Sequence, residues 1–139
     1  MIVENYTLQV STKAVHDMVD ITDEVAGRVK ESGVCIGTVC IFSVGSTAGV
    51  TTVEYENGLK TDVEALFQRL APTEGYYEHN ERWNDGNGFS HVSAALLKPS
   101  LTIPIMQANL RLGTWQQVVV INFDNRPRDR MIAVQVTGI

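Results

Sequence analysis

The sequence predicts an α+β fold with a mixed, mainly antiparallel sheet core, two main helices and one long functional loop. Three features point there: two-residue alternation near both ends, a helical stripe in the middle, and one aperiodic polar stretch. Strands grouped at the two ends with helices between them are the pattern of an α+β chain rather than of alternating βα units.

At the N-terminus, Ile2, Glu4, Tyr6, Leu8 and Val10 alternate with Val3, Asn5, Thr7 and Gln9, which predicts a strand with one mostly apolar face. Val15, Val19 and Ile21 repeat the pattern after Ser11-Thr12-Lys13, so the two segments are expected to form a hairpin. Thr22-Asp23-Glu24 then offers a cap and acidic residues suited to the positive end of a helix dipole. Val25 and Val29 supply the stripe and Gly33 the stop.

Val34–Val44 is nearly continuous in apolar and β-branched residues and reads as a strand buried on both faces, with Thr51–Tyr55 as its shorter partner. Leu59, Val63, Leu66, Phe67 and Leu70 fall on one helical face that Pro72 ends. Thr73–Ser90 is polar, aromatic and glycine-bearing without a period, and a loop of that length in a small domain usually carries function. Ser90–Leu97 reads as a short helical turn, Leu101–Ile105 and Leu110–Leu112 as strands, and Gln116–Phe123 with Arg130–Thr137 as the final strand pair.

A length of 139 residues suits one core, so residues 1–139 are expected to form a single domain. With 44% hydrophobic and 19% charged residues, the composition is that of an ordinary folded protein. A net charge of −5 argues against nucleic acid as a partner, because sequence-independent affinity for a phosphate backbone needs a basic surface. No run reaches the roughly 18–20 apolar residues of a membrane span, so no membrane partner is expected. The opening Ile2–Val10 stretch has no basic leader, which makes the cytoplasm the expected location. Cys35 and Cys40 share one expected strand on opposite faces, which predicts two buried free thiols.

Two histidines bracket the polar stretch His79-Asn80-Glu81-Arg82-Trp83-Asn84-Asp85-Gly86-Asn87-Gly88-Phe89-Ser90-His91. Imidazole beside carboxylate serves either a divalent metal or an acid–base pair, so His79, Asp85, Asn87 and His91 are the candidate catalytic set. The bland alternative is a histidine that simply hydrogen-bonds the loop. Trp83 is the exposed stacking candidate for a flat ring, and Gln116 an amide that can read one. Trp115 reads rather as a core or subunit-contact aromatic. Glu54 and Glu56 share a strand face by alternation, as do Arg128 and Arg130.

Four motifs in order resemble the YjbQ-like family: Asp85-Gly86-Asn87-Gly88-Phe89-Ser90-His91 through Leu97, Pro99–Pro104, Leu112-Gly113-Thr114-Trp115-Gln116-Gln117, and Phe123-Asp124-Asn125-Arg126-Pro127-Arg128 through Gly138. Gly45-Ser46-Thr47-Ala48 with Glu54-Tyr55-Glu56 is similar to a strand-loop element of its archaeal-type branch. The resemblance implies a thiamine-phosphate synthase activity, which joins a pyrimidine diphosphate to a thiazole phosphate with loss of pyrophosphate.

It also implies a zinc-like divalent metal, here left with His79 and His91, because Gly45 and Phe89 stand where members carry further histidines. Ser46, Thr47, Trp83, Gln116, Arg126, Arg128 and Arg130 are the expected substrate-binding residues for a small phosphate-bearing ligand. A homo-oligomer, a trimer first, is the expected assembly. The alternative is a non-catalytic small-molecule-binding or assembly protein that keeps the fold with a reduced histidine set.

Overall fold

The computed structural model describes residues 1–139 and is α+β, with every strand pairing antiparallel. The strands are β1 (Ile2–Thr12), β2 (Met18–Asp20), β3 (Ile36–Ser43), β4 (Ala48–Val53), β5 (Ser100–Met106), β6 (Asn109–Leu110), β7 (Gln117–Asn122) and β8 (Arg128–Gly138). The helices are α1 (Thr22–Ser32), α2 (Asn57–Leu70), α3 (Glu78–Trp83) and α4 (Gly88–Leu97). No helix is long and apolar enough to cross a membrane.

Two sheets form, one of order β1-β8-β3-β5-β6 and one of order β2-β7-β4. The inner face of the larger sheet carries Leu8, Val39, Ile41, Ile103, Ile132, Val134 and Val136, which pack with Val25 and Val29 of α1 and with Val50, Val118 and Val120 of the smaller sheet. The other side of β7 presents Val119 and Ile121, which join Phe67 of α2, Ala94 of α4 and Phe123. A strand covered on both sides must be apolar at successive positions, and Val118-Val119-Val120-Ile121 satisfies that. The doubly buried strand is therefore β7. The expectation for Val34–Val44 is corrected, because β3 buries one face and leaves Ile36 and Phe42 exposed.

Pairing also departs from the local reading. No hairpin joins β1 to β2: β1 continues through Thr12 and pairs along its whole length with β8, from Ile2 opposite Gly138 to Thr12 opposite Arg128, while β2 pairs with β7. Similarly, β4 pairs with β7 rather than β3, and β7 and β8 lie in different sheets. Helix α1 begins at Thr22, where the Asp20 carboxylate accepts from both the Thr22 amide and hydroxyl, and it ends at Gly33 with φ +76°. Glu56 is not a strand residue but the N-cap of α2, accepting from the Gly58 and Leu59 amides. Cys35 is exposed and Cys40 half-buried, so neither thiol is sealed in the core.

β3 and β8 approach closely at Gly37 and Gly138, where an added Cβ on Gly37 would collide with the Thr137 carbonyl. Backbone cannot yield as a side-chain tip can. Gly37→Ala is expected to cost about 1–3 kcal/mol, read from urea unfolding; an unchanged midpoint would show that the strands part freely there.

Candidate functional site

The Thr73–Ser90 stretch, expected as a loop, folds over much of its length. Tyr77 leads into α3, Asn84 reverses the chain with φ +54°, and α4 begins already at Gly88. The amide of Gly88 donates to Asn80 Oδ1 at 2.8 Å, which ties the start of α4 to α3. A Cβ at Gly88 would meet Tyr77 Cβ at 2.5 Å, so only glycine lets the two helices lie this close.

That helical turn brings together His79 from α3 and His91 from α4. Their ring centroids are 4.5 Å apart and the rings are tilted by 38°. Asp85 sits beside them, with its Oδ1 3.6 Å from His79 Nδ1. Asn87 stands between two carboxylates: its amide donates to Asp124 Oδ1 at 3.5 Å, and turned over it donates to Asp85 at 2.9 and 3.2 Å. The four expected catalytic residues are therefore neighbours.

Asp124, which the sequence presents only as part of a motif, anchors the cluster. It is fully buried and accepts from Arg128 Nε at 2.7 Å, the Asn125 amide at 2.8 Å, Thr47 Oγ1 at 3.3 Å and Asn87. Burial pushes its pKa up, but the Arg128 and Asn125 hydrogen bonds and the Arg128 charge outweigh it and hold the carboxyl below its ordinary value. At His91 burial lowers the pKa, His79 lowers it further, and Asp85 and Asp124 oppose both. His91 therefore stays neutral below the pH at which a free imidazole takes its proton.

The β3–β4 connection supplies the opposite wall. Gly45, Ser46 and Ala48 line a pocket of about 190 Å³ with His91, Ala94, Ala95 and Pro99. Thr47 is buried behind it, where its carbonyl accepts from the Phe123 amide at 2.8 Å and from Arg130 Nη2 at 3.0 Å.

The expected substrate-binding residues divide. Ser46 lines the pocket, Thr47 and Arg130 are buried and hydrogen-bonded to each other rather than part of its lining, and Arg128 is committed to Asp124. Arg128 and Arg130 share the expected strand face yet differ in role, since Arg130 is buried and Arg128 half-exposed. Arg126 is exposed in the β7–β8 turn, and it is its backbone carbonyl that accepts, from Asn122 Nδ2.

Trp83 is exposed at the end of α3. Gln116 lies at the far end of the smaller sheet, donating to Thr52 at 3.3 Å and accepting from Gly113. Five residue steps along β4 separate that end from the Ala48–Asn122 pair, about 17 Å, so Gln116 is outside the histidine pocket. Trp115 is 71% exposed, which rules out the core half of its expected placement and leaves the subunit-contact half.

A family profile described as UPF0047 protein YjbQ-like matches residues 6–139. The chain belongs to this family. A UPF0047 protein of Methanothermobacter thermautotrophicus is 36% identical over 137 residues, covering 97% of this chain and 94% of its own. The UPF0047 protein YugU of Bacillus subtilis is 31% identical over 134 residues, covering 95% of this chain and 98% of its own. Among solved structures, a YbjQ-like protein of Sulfolobus solfataricus superposes with a TM-score of 0.89 at 28% identity, over 99% of each chain.

Within this YjbQ-like chain the two departures have distinct surroundings. Phe89 is buried, whereas Gly45 is exposed at the pocket rim with φ +154°. No group of three His, Cys, Asp or Glu side chains is placed to hold a metal ion. A structural or catalytic zinc draws at least three protein ligands. His79 and His91 with Asp85 against one imidazole do not make up that set, so the residues present do not fit the zinc-like centre the resemblance implied.

Proposed function

We propose that this chain is an enzyme acting on a small phosphate-bearing substrate, with His79 and His91 as its acid–base pair. The reaction implied by the family resemblance is thiamine-phosphate-synthase-like. The observation that carries the reading is the convergence of two imidazoles beside Asp85, with His91 on the wall of an open pocket.

In that condensation the C–O bond to the diphosphate breaks and its electron pair leaves on pyrophosphate, while the thiazole ring nitrogen supplies the pair for the new C–N bond. Developing charge on the leaving group is what the protein must stabilise. The imidazole of His91 is on the pocket wall, His79 packs against it, and the Asp85 carboxylate lies 3.6 Å from His79 Nδ1, so an imidazole N–H is the available donor for the leaving oxygens. The test is to incubate the purified protein with both precursors and follow the condensed product. Turnover by the native chain that the His79→Ala, His91→Ala double variant lacks supports the reading, and equal rates end it.

A second reading, assembly, draws on the outer face of the larger sheet. Register places Val3, Ile36, Phe42, Met106 and Met131 on that one face, and all five are exposed. Apolar side chains gathered on an open sheet face favour self-association. We propose a homo-oligomer, with the trimer as the expected mass in light scattering at micromolar concentration. A monomer mass there would rule this out.

A further inference from the structure

Arg130 is 7% exposed, yet no carboxylate lies within ion-pair distance of it. Its Nη2 donates to the Thr47 carbonyl, to Thr47 Oγ1 and to Asn122 Oδ1, all neutral acceptors. Nε is buried without a partner, and Nη1 makes no hydrogen bond within the chain. Taking a cation out of water is costly unless an opposite charge or a full set of acceptors replaces its hydration. Asp124 cannot serve fully, because its oxygens are already engaged by Arg128, Asn125, Thr47 and Asn87.

The free edge of this guanidinium faces a gap. A Cβ built on Gly45 would find Arg130 Nη1 at 3.7 Å and, beyond its own chain neighbours, no other atom within 4 Å. Gly45 holds φ +154°, a backbone conformation that favours glycine, so the missing side chain is consistent with the local chain path. Gly45 and Ser46 also line the pocket that His91 walls. The amide N–H groups of Gly45 and Ser46 have no backbone partner, and the exposed Ser46 hydroxyl makes no hydrogen bond within the chain. Consecutive free amides beside a cation form an anion-binding concavity.

We propose that Arg130 Nη1, the Gly45 and Ser46 amides and Ser46 Oγ form an anion subsite that takes the terminal phosphate of a small ligand. The rest of that ligand lies toward His91, and to this extent the proposal rests on the small-molecule reading above. A carboxylate offers two oxygens in one plane, which a single guanidinium edge exhausts. A tetrahedral phosphate offers one oxygen to Nη1 and others to the amides and hydroxyl, so its shape uses all the donors present.

The experiment titrates inorganic phosphate, pyrophosphate and acetate into the native chain while recording arginine Nε–Hε and backbone amide resonances. Saturable shifts of Arg130 and of the Gly45 and Ser46 amides are expected with phosphate and pyrophosphate, with acetate at least tenfold weaker and Arg126 unmoved. Gly45→Ala fills the gap and is expected to weaken phosphate binding at least tenfold, and this is checked in protein whose amide spectrum shows it folded. If that variant fails to fold, the native titration decides. No shift at Arg130, acetate as tight as phosphate, or native affinity in folded Gly45→Ala overturns the subsite. His79→Ala separates the two ideas: it is expected to lower turnover and leave the phosphate shifts intact, whereas a native chain that binds phosphate without turnover keeps the subsite and removes the catalytic reading.

Discussion

Asp124→Ala is expected to destabilise the fold by about 3 kcal/mol, measured by urea unfolding. The carboxylate is fully buried, and its removal strips the partner from Arg128 and leaves the Thr47 hydroxyl, the Asn125 amide and Asn87 without their acceptor. Breaking a buried pair costs roughly 3–5 kcal/mol, and the lower end applies here because Arg128 is partly exposed and water can replace some of what it loses. A loss below about 1 kcal/mol would mean that the network relaxes around the gap.

The pH dependence has a definite sign. Because the folded pKa of Asp124 lies below its unfolded value, its contribution is fully present above about pH 4 and is lost as acid carries the pH down through the folded value. Asp124→Asn removes that titration, so its stability should fall less steeply than the native protein's in this acid window.

The parts of this molecule that were legible in the sequence are those whose determinants are local. The period-two run of β1, the α2 stripe ending before Pro72 and the Gly33 stop of α1 each depend on a few adjacent side chains. Partner choice depends on burial across the whole chain. Ser11-Thr12-Lys13 resembles a hairpin turn, but carrying β1 straight through it buries Leu8 and Val10 opposite β8, where Ile132 and Val134 complete the same core face. Nothing within residues 2–21 encodes that preference.

The site divides along the same line. Twelve residues apart in sequence, His79 and His91 meet because α3 and α4 fold back at Asn84, an αL position that asparagine tolerates well. Asp124 was hidden because its importance comes from partners at residues 47, 87 and 128, which only the tertiary fold collects. Two-residue spacing put Arg128 and Arg130 on one face, yet their different depths assign one to Asp124 and leave the other with a free edge over Gly45.

The His79→Ala, His91→Ala double variant is expected to lose at least about 100-fold in turnover, the usual scale of positioned acid–base catalysis. A structural role for the histidines would also lower activity, so the deciding readout is the pH profile. Burial and His79 together depress the His91 pKa, which keeps a proton-accepting imidazole available below the ordinary value near pH 6.5. In His79→Ala the neighbouring imidazole is gone, so the His91 pKa should rise and the acid limb of the rate profile should move to higher pH. The same displacement should appear in the His91 ring resonances, whether or not substrate is present.

Stability follows from the same shift. Since the unfolded chain takes its proton first, acidification weakens the fold from about pH 6.5 down to the folded value and no further, and the half-buried His16 contributes with the same sign. If His91 titrates unchanged in His79→Ala, the two rings are close without being coupled, and the acid–base pair is the wrong description of them.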